Sequence, residues 1–324
     1  MFDANLKVTM SIGVRIEVQT SNVELLFMPI IHEKKNVNMI MGNFKSLYNK
    51  VYYWAAVNYN QVKTWLYSYV VPYTFDSTKY PDSFLVNEVP ATTNEDHCLW
   101  HEMVPRVIYI FWTGDNEITP NRMAGINSLE RTCGVDVKLI TPKNLAAYIK
   151  DDDPLPEAYQ YLSLNHKSDY LRSYFMHHYG GGYADIKTYS HSWVDAFNRL
   201  DNSEAYAIGY PEVGFLGAAY QDVKDATLQK DLKTYWRLLI GNGAFVCRPH
   251  TPLTIEWHKE AKRRVVAYAD ELKKHPARDI FGRNADYPLA WSMMQGAIFH
   301  PLCLKYRAKL LKDKSLMPSF KNYR

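Results

Sequence analysis

The chain has 324 residues, of which 47% are hydrophobic and 22% are charged, and its formal net charge is +4. This length allows two average domains or one large domain with an extension, and the apolar fraction suffices for a packed core. The weak positive charge argues against a nucleic-acid-binding protein, which usually carries a dense basic face. Two basic stretches, 259–274 and 305–314, are either solvated helix faces or sites that attract anionic lipids or polyanionic substrates.

The cysteines and the apolar runs indicate the compartment. Scattered cysteines without regular spacing favour a reducing environment, and the chain has four: Cys98, Cys133, Cys247 and Cys303. The N-terminus lacks a charged segment followed by an apolar one, and nowhere do about 18 uncharged apolar residues run together. We therefore expect a soluble, cytoplasmic protein, with a peripheral membrane contact left open.

The first hundred residues follow patterns of their own. Strict alternation of apolar residues over 8–18 predicts a half-buried strand, and residues 23–31 can return as its partner. Segment 44–71 is rich in Tyr, Trp, Val and Leu at helical spacing and ends before Pro72. It predicts a helix that either packs into a core or lies at a membrane interface. Residues 76–101 have the composition of a linker.

Strands and helices alternate from residue 104 onward. The pattern predicts a buried strand at 106–112, a helix at 120–132, a strand at 135–140 and a further helix that starts at Thr141. Such alternation is typical of an α/β fold with a mostly parallel sheet covered by helices. Ligands of these sheets bind beyond the carboxyl ends of the strands, so we expect one near the loop after Trp112.

The stretch around Gly180–Gly182 carries the strongest chemical pattern, because a helix precedes these glycines and a strand follows them. Asp169 and Arg172 are three residues apart and therefore near each other on the helix. The glycines end the helix and let backbone or ligand approach closely. Asp185 and Lys187 share one face of the strand. Two acids at this spacing can hold a divalent cation, whereas a lysine can meet a diphosphate directly.

This stretch resembles the helix–glycine–DXD segment of glycosyltransferases with a DXD sugar-binding region. That group includes capsular-polysaccharide synthesis enzymes, yeast-type initiating mannosyltransferases and large glucosylating toxins. The resemblance covers roughly residues 104–304 and rests on the blocks 105–114, 168–185 and 295–301. It implies a GT-A-like, Rossmann-type nucleotide-binding domain over residues 102–324. An accessory region, 1–101, would precede it with a strand hairpin, an aromatic-rich helix and a linker.

The resemblance also implies roles for single side chains. Trp112 stands where the toxins stack an aromatic ring on the nucleotide base. Asp169 and Arg172 match residues that bind the donor sugar. Asp185 matches the first DXD acid and is, with Lys187, the catalytic candidate. Lys187 replaces the second acid, usually the direct metal ligand, and this departure puts ordinary Mn²⁺ or Mg²⁺ dependence in doubt.

Four further positions are candidates for the same site. Gly181, Gly182 and Asn242 are assigned to donor binding. His300 is assigned as a metal ligand beside Asp185 or as a diphosphate contact. The sequence leaves structural alternatives open for the candidates, such as a core tryptophan, a helix salt bridge, a solvated lysine, a turn at Asn242 and a polar histidine before a proline.

The resemblance implies transfer of a sugar from a nucleoside diphosphate to a hydroxyl of a glycan, with retention of configuration, in polysaccharide or capsule synthesis. A UDP-sugar is the favoured donor and a GDP-sugar remains open. Two other classes also remain open. Lys187 suggests a nucleotide-sugar-binding protein with weak turnover, and segment 44–71 suggests a membrane-associated structural module.

Overall fold

The structure is a computed structural model that describes residues 6–9, 15–18, 34–86 and 103–321. The chain divides into two compact units, Met1–Asn58 and Tyr59–Arg324. Within the described residues the α-helices are α1 (Lys34–Val70), α2 (Pro120–Thr132), α3 (Leu164–His178), α4 (Val194–Asp201), α5 (Ala226–Thr234), α6 (Pro252–Ala267), α7 (Ala269–Lys274) and α8 (Gly296–Lys305). The strands are β1 (Leu6–Thr9), β2 (Arg15–Val18), β3 (Val107–Phe111), β4 (Asp136–Ile140), β5 (Gly181–Ala184), β6 (Ala207–Pro211), β7 (Ile240–Cys247) and β8 (Leu310–Lys312).

The first unit contains an antiparallel strand pair. β1 and β2 pair with Leu6 opposite Val18 and Thr9 opposite Arg15. The alternating run that predicted one strand over 8–18 therefore contributes to two strands that pair with each other. The predicted partner strand, 23–31, lies outside the described residues.

The helix predicted within 44–71 is present as α1, which begins earlier, at Lys34, and ends at Val70, two residues before Pro72. Within the second unit, the segment from Tyr59 onward packs through Thr64, which accepts a hydrogen bond from Trp236 Nε1 at 3.1 Å. The predicted apolar stripe is exposed, however, and Val62 and Leu66 are 56% and 52% exposed. The core-packing alternative for this helix is therefore wrong. No helix among the described residues is long and apolar enough to cross a membrane.

A mixed six-stranded sheet forms the centre of the second unit, in the order β4-β3-β5-β7-β6-β8. The pairs β3–β4, β3–β5 and β6–β8 are parallel. β7 runs antiparallel to both β5 and β6. Three of the five pairs are thus parallel, and the α/β prediction with a mostly parallel sheet is confirmed.

Helices cover both faces of the sheet. On one face, Ile126 and Leu129 of α2 and Trp193 and Phe197 around α4 belong to the same buried cluster as Ile108 of β3. The opposite face is aromatic: its packed rings come from β3, β5 and β7 and from helices α3, α6 and α8, and they include Tyr109, Phe111, Phe175, Tyr183, Phe245, Trp257 and Phe299. Because both faces of the sheet are covered, every residue of β3 and β5 is buried.

The prediction of a helix that starts at Thr141 is wrong. Only a short 3-10 helix, Leu145–Tyr148, follows β4. The side chain of Asn144 accepts a hydrogen bond from Thr141 N and donates one to Leu139 O, at 2.8 and 3.0 Å. An asparagine that binds nearby backbone in this way stabilises a turn in competition with a helix.

Residues 76–86, the described part of the predicted linker, pack within the second unit. Tyr80 is fully buried, and its hydroxyl lies 2.8 Å from both Tyr73 Oη and Asp231 Oδ2. Leu85 is also buried. The predicted boundary at 101/102 stays a prediction, because residues 87–102 lie outside the described part of the chain.

A shortened chain that begins at Asp96 is expected to be less stable than one that begins at Tyr59. It loses Tyr73, Tyr80 and Leu85, and burial of such side chains contributes about 2 kcal/mol each. Urea unfolding of both chains measures the difference. Tyr80→Phe in the full chain is the matched control, since it removes only the hydroxyl and should cost about 1–2 kcal/mol. Equal unfolding midpoints for the two shortened chains would contradict the expectation.

Candidate functional site

The candidate site lies at the carboxyl ends of β3 and β5. These strands are parallel, with Ile108 opposite Gly182 and Tyr109 opposite Tyr183, so their carboxyl ends meet at one edge of the sheet. Trp112 follows β3 and Asp185 follows β5 at that edge. This is the edge where the sequence predicts a ligand, and side chains there can face a bound molecule without disrupting the sheet.

Helix α3 brings two more predicted residues to this edge. Its N-terminus is capped by Ser163, whose hydroxyl accepts a hydrogen bond from His166 N at 3.1 Å. Asp169 and Arg172 lie one turn further along, and Arg172 Nη2 is 3.3 Å from Asp169 Oδ1. Gly180 and Gly181, at φ +62° and +81°, adopt backbone conformations that suit glycine and lead the chain directly from α3 into β5.

Arg172 joins the helix to the strand. The same Nη2 atom that contacts Asp169 lies 3.2 Å from Asp185 Oδ1. Lys187 Nζ lies 2.8 Å from the other carboxylate oxygen of Asp185. The structure therefore brings together Asp169, Arg172, Asp185 and Lys187, four of the residues predicted from the sequence.

Tyrosine and backbone groups that the sequence analysis did not assign complete the surroundings of Asp185. Tyr183 donates its hydroxyl to Asp185 Oδ1 at 2.7 Å, and the Arg172 guanidinium lies over the Tyr183 ring at 4.4 Å from its centroid. Tyr189 donates to the backbone oxygen of Asp185 at 3.1 Å. The sequence could have identified Tyr183, because it lies two residues before Asp185 and so shares one face of the strand with it. No local pattern marks Gly243, where a Cβ atom would lie 2.9 Å from Asp185 Oδ2.

Burial and charge act in opposite directions on this cluster. Burial raises the pKa of Asp169 to about 7, although the nearby Arg172 lowers it. Burial also raises the pKa of Asp185, but Arg172 and Lys187 outweigh burial, so the pKa of Asp185 is below its ordinary value. Asp185 is therefore an anion at neutral pH. Burial raises the pKa of Tyr183 well above its ordinary value, so its hydroxyl remains a donor.

The site offers both charged donors and acceptors to a ligand. Asp185 is the most exposed of the four charged side chains, at 21%, compared with 11% for Arg172 and Lys187 and 5% for Asp169. Carboxylates accept hydrogen bonds from hydroxyl groups, and ammonium and guanidinium groups bind phosphate oxygens. A ligand that carries both hydroxyls and phosphates matches this set.

Gly181 and Gly182 have a structural reason to be glycine. A Cβ atom on Gly181 would lie 2.7 Å from Val107 O, and one on Gly182 would lie 2.9 Å from Ile108 Cγ1. Both positions therefore permit the close approach of β5 to β3. Their predicted contact with a donor stays a prediction.

Trp112 and Asn242 lie at the margins of the site. Trp112 is partly buried against the core, and its Nε1 donates to Asn116 O at 2.7 Å. Asn242 accepts a hydrogen bond from Arg172 Nη1 on its backbone oxygen at 3.3 Å. Its buried side-chain oxygen has no hydrogen-bond partner among the described residues, which leaves an acceptor beside Arg172.

The contacts of His300 lie apart from those of Asp185. His300 is fully buried, and its Nδ1 accepts a hydrogen bond from Ala219 N at 3.0 Å. Its Nε2 is 3.9 Å from Glu212 Oε2, and burial lowers the pKa of His300 to about 4. The contacts do not join Asp185 and His300 into one ligand set, so their metal assignment stays a prediction.

An ordinary divalent-cation site does not fit the surroundings of Asp185. Arg172 and Tyr183 contact one carboxylate oxygen and Lys187 contacts the other. Two unit charges 4 Å apart interact by about 4 kcal/mol at an effective dielectric constant near 20, so these cations repel a divalent ion more strongly still. Among the described residues, the one group of three side chains with ligand atoms in mutual reach lies elsewhere, at Asp153, His178 and His258.

Comparison with protein families connects this geometry to a known class. Residues 92–202 match the family model of the glycosyltransferase sugar-binding region containing a DXD motif. The matched segment runs from before β3 through α4 and includes Asp169, Arg172 and Asp185. Searches of the curated proteins and of the solved structures returned no significant match. The family match supports a glycosyltransferase that binds a nucleotide sugar.

Replacing Arg172 with methionine is expected to destabilise the protein in a pH-dependent way. It leaves Asp169 and Asp185 close together without their shared cation, and loss of one partner of a buried ion pair costs about 3–5 kcal/mol. The pKa of Asp169 is already raised to about 7, so the contribution of this carboxyl to stability is greatest when it is protonated and falls as pH rises from about 4 to 7. Without Arg172 this fall should be steeper.

Urea unfolding at pH 5 and pH 8 measures the effect. The loss of unfolding free energy should be larger at pH 8 than at pH 5, and Arg172→Lys, which keeps the charge, should lose less at pH 8. A loss that is the same at both pH values would argue against electrostatic coupling of these three residues.

Proposed function

We propose that this protein is a glycosyltransferase that moves a sugar from a nucleoside diphosphate to a hydroxyl of a glycan acceptor, with retention of configuration. The observation that carries the proposal is the Asp185 carboxylate at the carboxyl end of β5, held by Arg172 and Lys187 within the segment that matches the sugar-binding family. The negative charge and partial exposure of Asp185 suit a residue that accepts hydrogen bonds from hydroxyls of the ligand.

In this proposal, the charged side chains bind different parts of the donor. Asp169 and Asp185 accept hydrogen bonds from hydroxyls of the sugar and ribose, and Arg172 fixes the sugar by contacting both carboxylates. Asn165 Nδ2 donates to Asp169 Oδ2 at 3.1 Å and so orients that carboxylate. Because the groups are held before the ligand arrives, little reorganisation is needed when the transition state forms.

Lys187 has the role of stabilising the leaving group. In the transfer, the bond between the anomeric carbon and the diphosphate oxygen breaks, and the acceptor oxygen bonds to that carbon. The diphosphate gains negative charge, and an ammonium group near it stabilises that charge. The acceptor's proton passes to a departing phosphate oxygen on the same face of the sugar, which preserves the configuration without a covalent nucleophile.

The finer identity of the substrates rests on the resemblance. A UDP-sugar is the proposed donor, with Trp112 stacked on its base, and a GDP-sugar is the alternative. Synthesis of a polysaccharide such as a capsule is the proposed role. These assignments guide the choice of donors for the first binding experiments.

The acceptor has a candidate location beside Asp169. A cavity of about 480 Å³ is lined by Phe281, Gly282, Arg283, Leu289 and Trp291. Asn165 donates its backbone N–H to Ile280 O at 3.1 Å, so this loop adjoins the start of α3. Trp291 is 56% exposed, and flat aromatic surfaces of this kind suit sugar rings.

A membrane contact remains part of the proposal through α1. In segment 59–70, four large apolar or aromatic residues are each more than half exposed: Tyr59, Val62, Leu66 and Tyr69. The whole helix contains lysine but no acidic residue. Exposed aromatic and aliphatic side chains together with positive charge suit the interface of an anionic membrane.

A nucleotide-sugar-binding protein with weak turnover is the second candidate. Lys187 favours it, because it replaces the acid that is usually the direct metal ligand and pairs with Asp185 instead. Measured transfer or hydrolysis of a bound donor separates the two candidates, since a binding protein retains donor affinity without turnover.

Asp185→Asn is expected to abolish most transfer while the protein stays folded. The amide keeps the shape of the carboxylate but removes the charge that positions the sugar, and we expect kcat/KM to fall by about 100-fold or more, which corresponds to about 2.7 kcal/mol. Turnover and melting temperature are measured together. Asp195→Asn, a change at an exposed acid near the start of α4, is the matched control. Full activity in folded Asp185→Asn would falsify the proposed role.

Activity is expected to depend weakly on divalent metal. The Lys187 ammonium replaces the second DXD acid and can neutralise diphosphate charge itself. A chelator present in the assay should leave most of the activity. Lys187→Ala should reduce kcat far more than Lys187→Arg, because the arginine keeps the charge. Complete loss of activity in chelator, restored by Mn²⁺, would show that a metal and not Lys187 serves the diphosphate.

A further inference from the structure

A cluster of imidazole rings lies at the far end of α3 from the candidate donor site. His178 is the last residue of α3, six residues beyond Arg172 and nine beyond Asp169. At about 1.5 Å per residue, these positions are about 9 and 14 Å apart along the helix axis. His258 lies on α6, which packs on α3, and the carboxylate of Asp153 lies between the two rings. The donor chemistry proposed above uses none of these side chains.

Three ligand atoms converge in this cluster. His178 Nε2 lies 2.8 Å from Asp153 Oδ2, and His258 Nε2 lies 2.7 Å from the same oxygen. Ligand atoms of the three side chains all lie within 4.8 Å of one another. The side chains are largely shielded from solvent, with exposed fractions of 11%, 6% and 16% for His178, His258 and Asp153.

The turn that carries Asp153 is fixed in place. Tyr174 donates its hydroxyl to Asp153 O at 3.0 Å and accepts a hydrogen bond from Lys150 N at 2.7 Å. Tyr174 is fully buried in α3. The carboxylate is therefore presented to the two imidazoles by rigid backbone and does not depend on a chance surface rotamer. Such support is what keeps metal ligands in position.

Hydrogen bonds alone leave this cluster incompletely satisfied. Both imidazoles share a single carboxylate oxygen. The Nδ1 atoms of His258 and of the neighbouring His177 are buried and have no hydrogen-bond partner among the residues that the structure describes. The His177 ring is stacked on the His258 ring at 5.4 Å between centroids. Buried polar atoms without a partner are uncommon in folded proteins, so this group of histidines requires an explanation beyond its own hydrogen bonds.

We propose that Asp153, His178 and His258 form a zinc site that ties the 150–153 turn to α3 and α6. Two imidazole nitrogens and one carboxylate oxygen suit Zn²⁺, and a water molecule would complete a tetrahedron. Imidazole ligands disfavour Mg²⁺ and Ca²⁺, which prefer oxygen. Zinc–ligand distances of about 2.0–2.2 Å place neighbouring ligand atoms of a tetrahedron about 3.4 Å apart. The two nitrogen–oxygen separations, 2.8 and 2.7 Å, would therefore open by about 0.6 Å, and the two imidazole nitrogens, which lie within 4.8 Å of each other, would settle at about 3.4 Å.

Lys262 also contacts the carboxylate of the cluster. Its ammonium group pairs with Asp153 Oδ1, whereas both imidazoles contact Oδ2. The Lys262 side chain is 39% exposed, so it can turn into solvent when the carboxylate binds a metal. The lysine competes with a divalent ion for this carboxylate and repels the ion. Its removal should therefore strengthen zinc binding, whereas a purely structural salt bridge predicts no such gain.

The test uses the full chain, stripped of metal with a chelator and then titrated with Zn²⁺ against a chromogenic zinc indicator. We expect one zinc ion per chain and a melting temperature that rises with zinc. His178→Ala and His258→Ala should each weaken zinc binding by at least tenfold, and Lys262→Met should tighten it several-fold. His191→Ala, a change at an exposed histidine outside the cluster, is the matched control and should bind as the wild type does.

A second measurement guards against misfolding of the buried-histidine variants. Co²⁺ bound by the wild type should give the intense visible absorption of a tetrahedral site, and Asp153→Asn, a nearly isosteric change, should weaken that band. Failure of the wild type to bind zinc at micromolar free metal overturns the proposal. So does zinc binding that His178→Ala, Asp153→Asn and Lys262→Met all leave unchanged. Both outcomes concern the zinc site alone, because donor binding and transfer are measured separately at Asp185.

Discussion

The contact of one guanidinium with two carboxylates determines how the candidate site is built. Arg172 Nη2 lies 3.3 Å from Asp169 and 3.2 Å from Asp185, so one side chain connects α3 with the end of β5. Two nearby acids would repel each other in this half-buried place if no cation stood between them. The glycine turn, the close pairing of β5 with β3 and the tyrosine beneath the guanidinium all serve to keep this contact.

The same contact explains why Lys187 can replace the second acid of the DXD motif at the end of β5. Asp185 already has a positive partner on each oxygen, Arg172 on one and Lys187 on the other. A site of this kind supplies positive charge from the chain itself, where a full DXD motif relies on a bound cation. For this reason the proposed function places the leaving group at Lys187.

Helix α3 serves two regions of the molecule at once. Its first turns carry Asp169 and Arg172, and its last residue belongs to the cluster with Asp153 and His258. A zinc ion at that cluster would hold the far end of the helix against α6. Between the two regions, Phe175 of α3 packs on Tyr109 and Phe111 of β3.

The sequence by itself determined the α/β alternation, helix α2 and the pairs Asp169 with Arg172 and Asp185 with Lys187, because these follow from local periodicity and short spacings. That all four belong to one site was implied by the family resemblance, and the structure brings the two pairs together through Arg172. The sequence could not determine the 3-10 turn after β4, where Asn144 outcompetes a helix start. Nor could it find the burial of Tyr80 against Asp231 or the meeting of Asp153 with His258, whose partners are 151 and 105 residues apart in the chain. Only the tertiary structure decides such contacts, because packing of distant elements, and no local pattern, brings their side chains together.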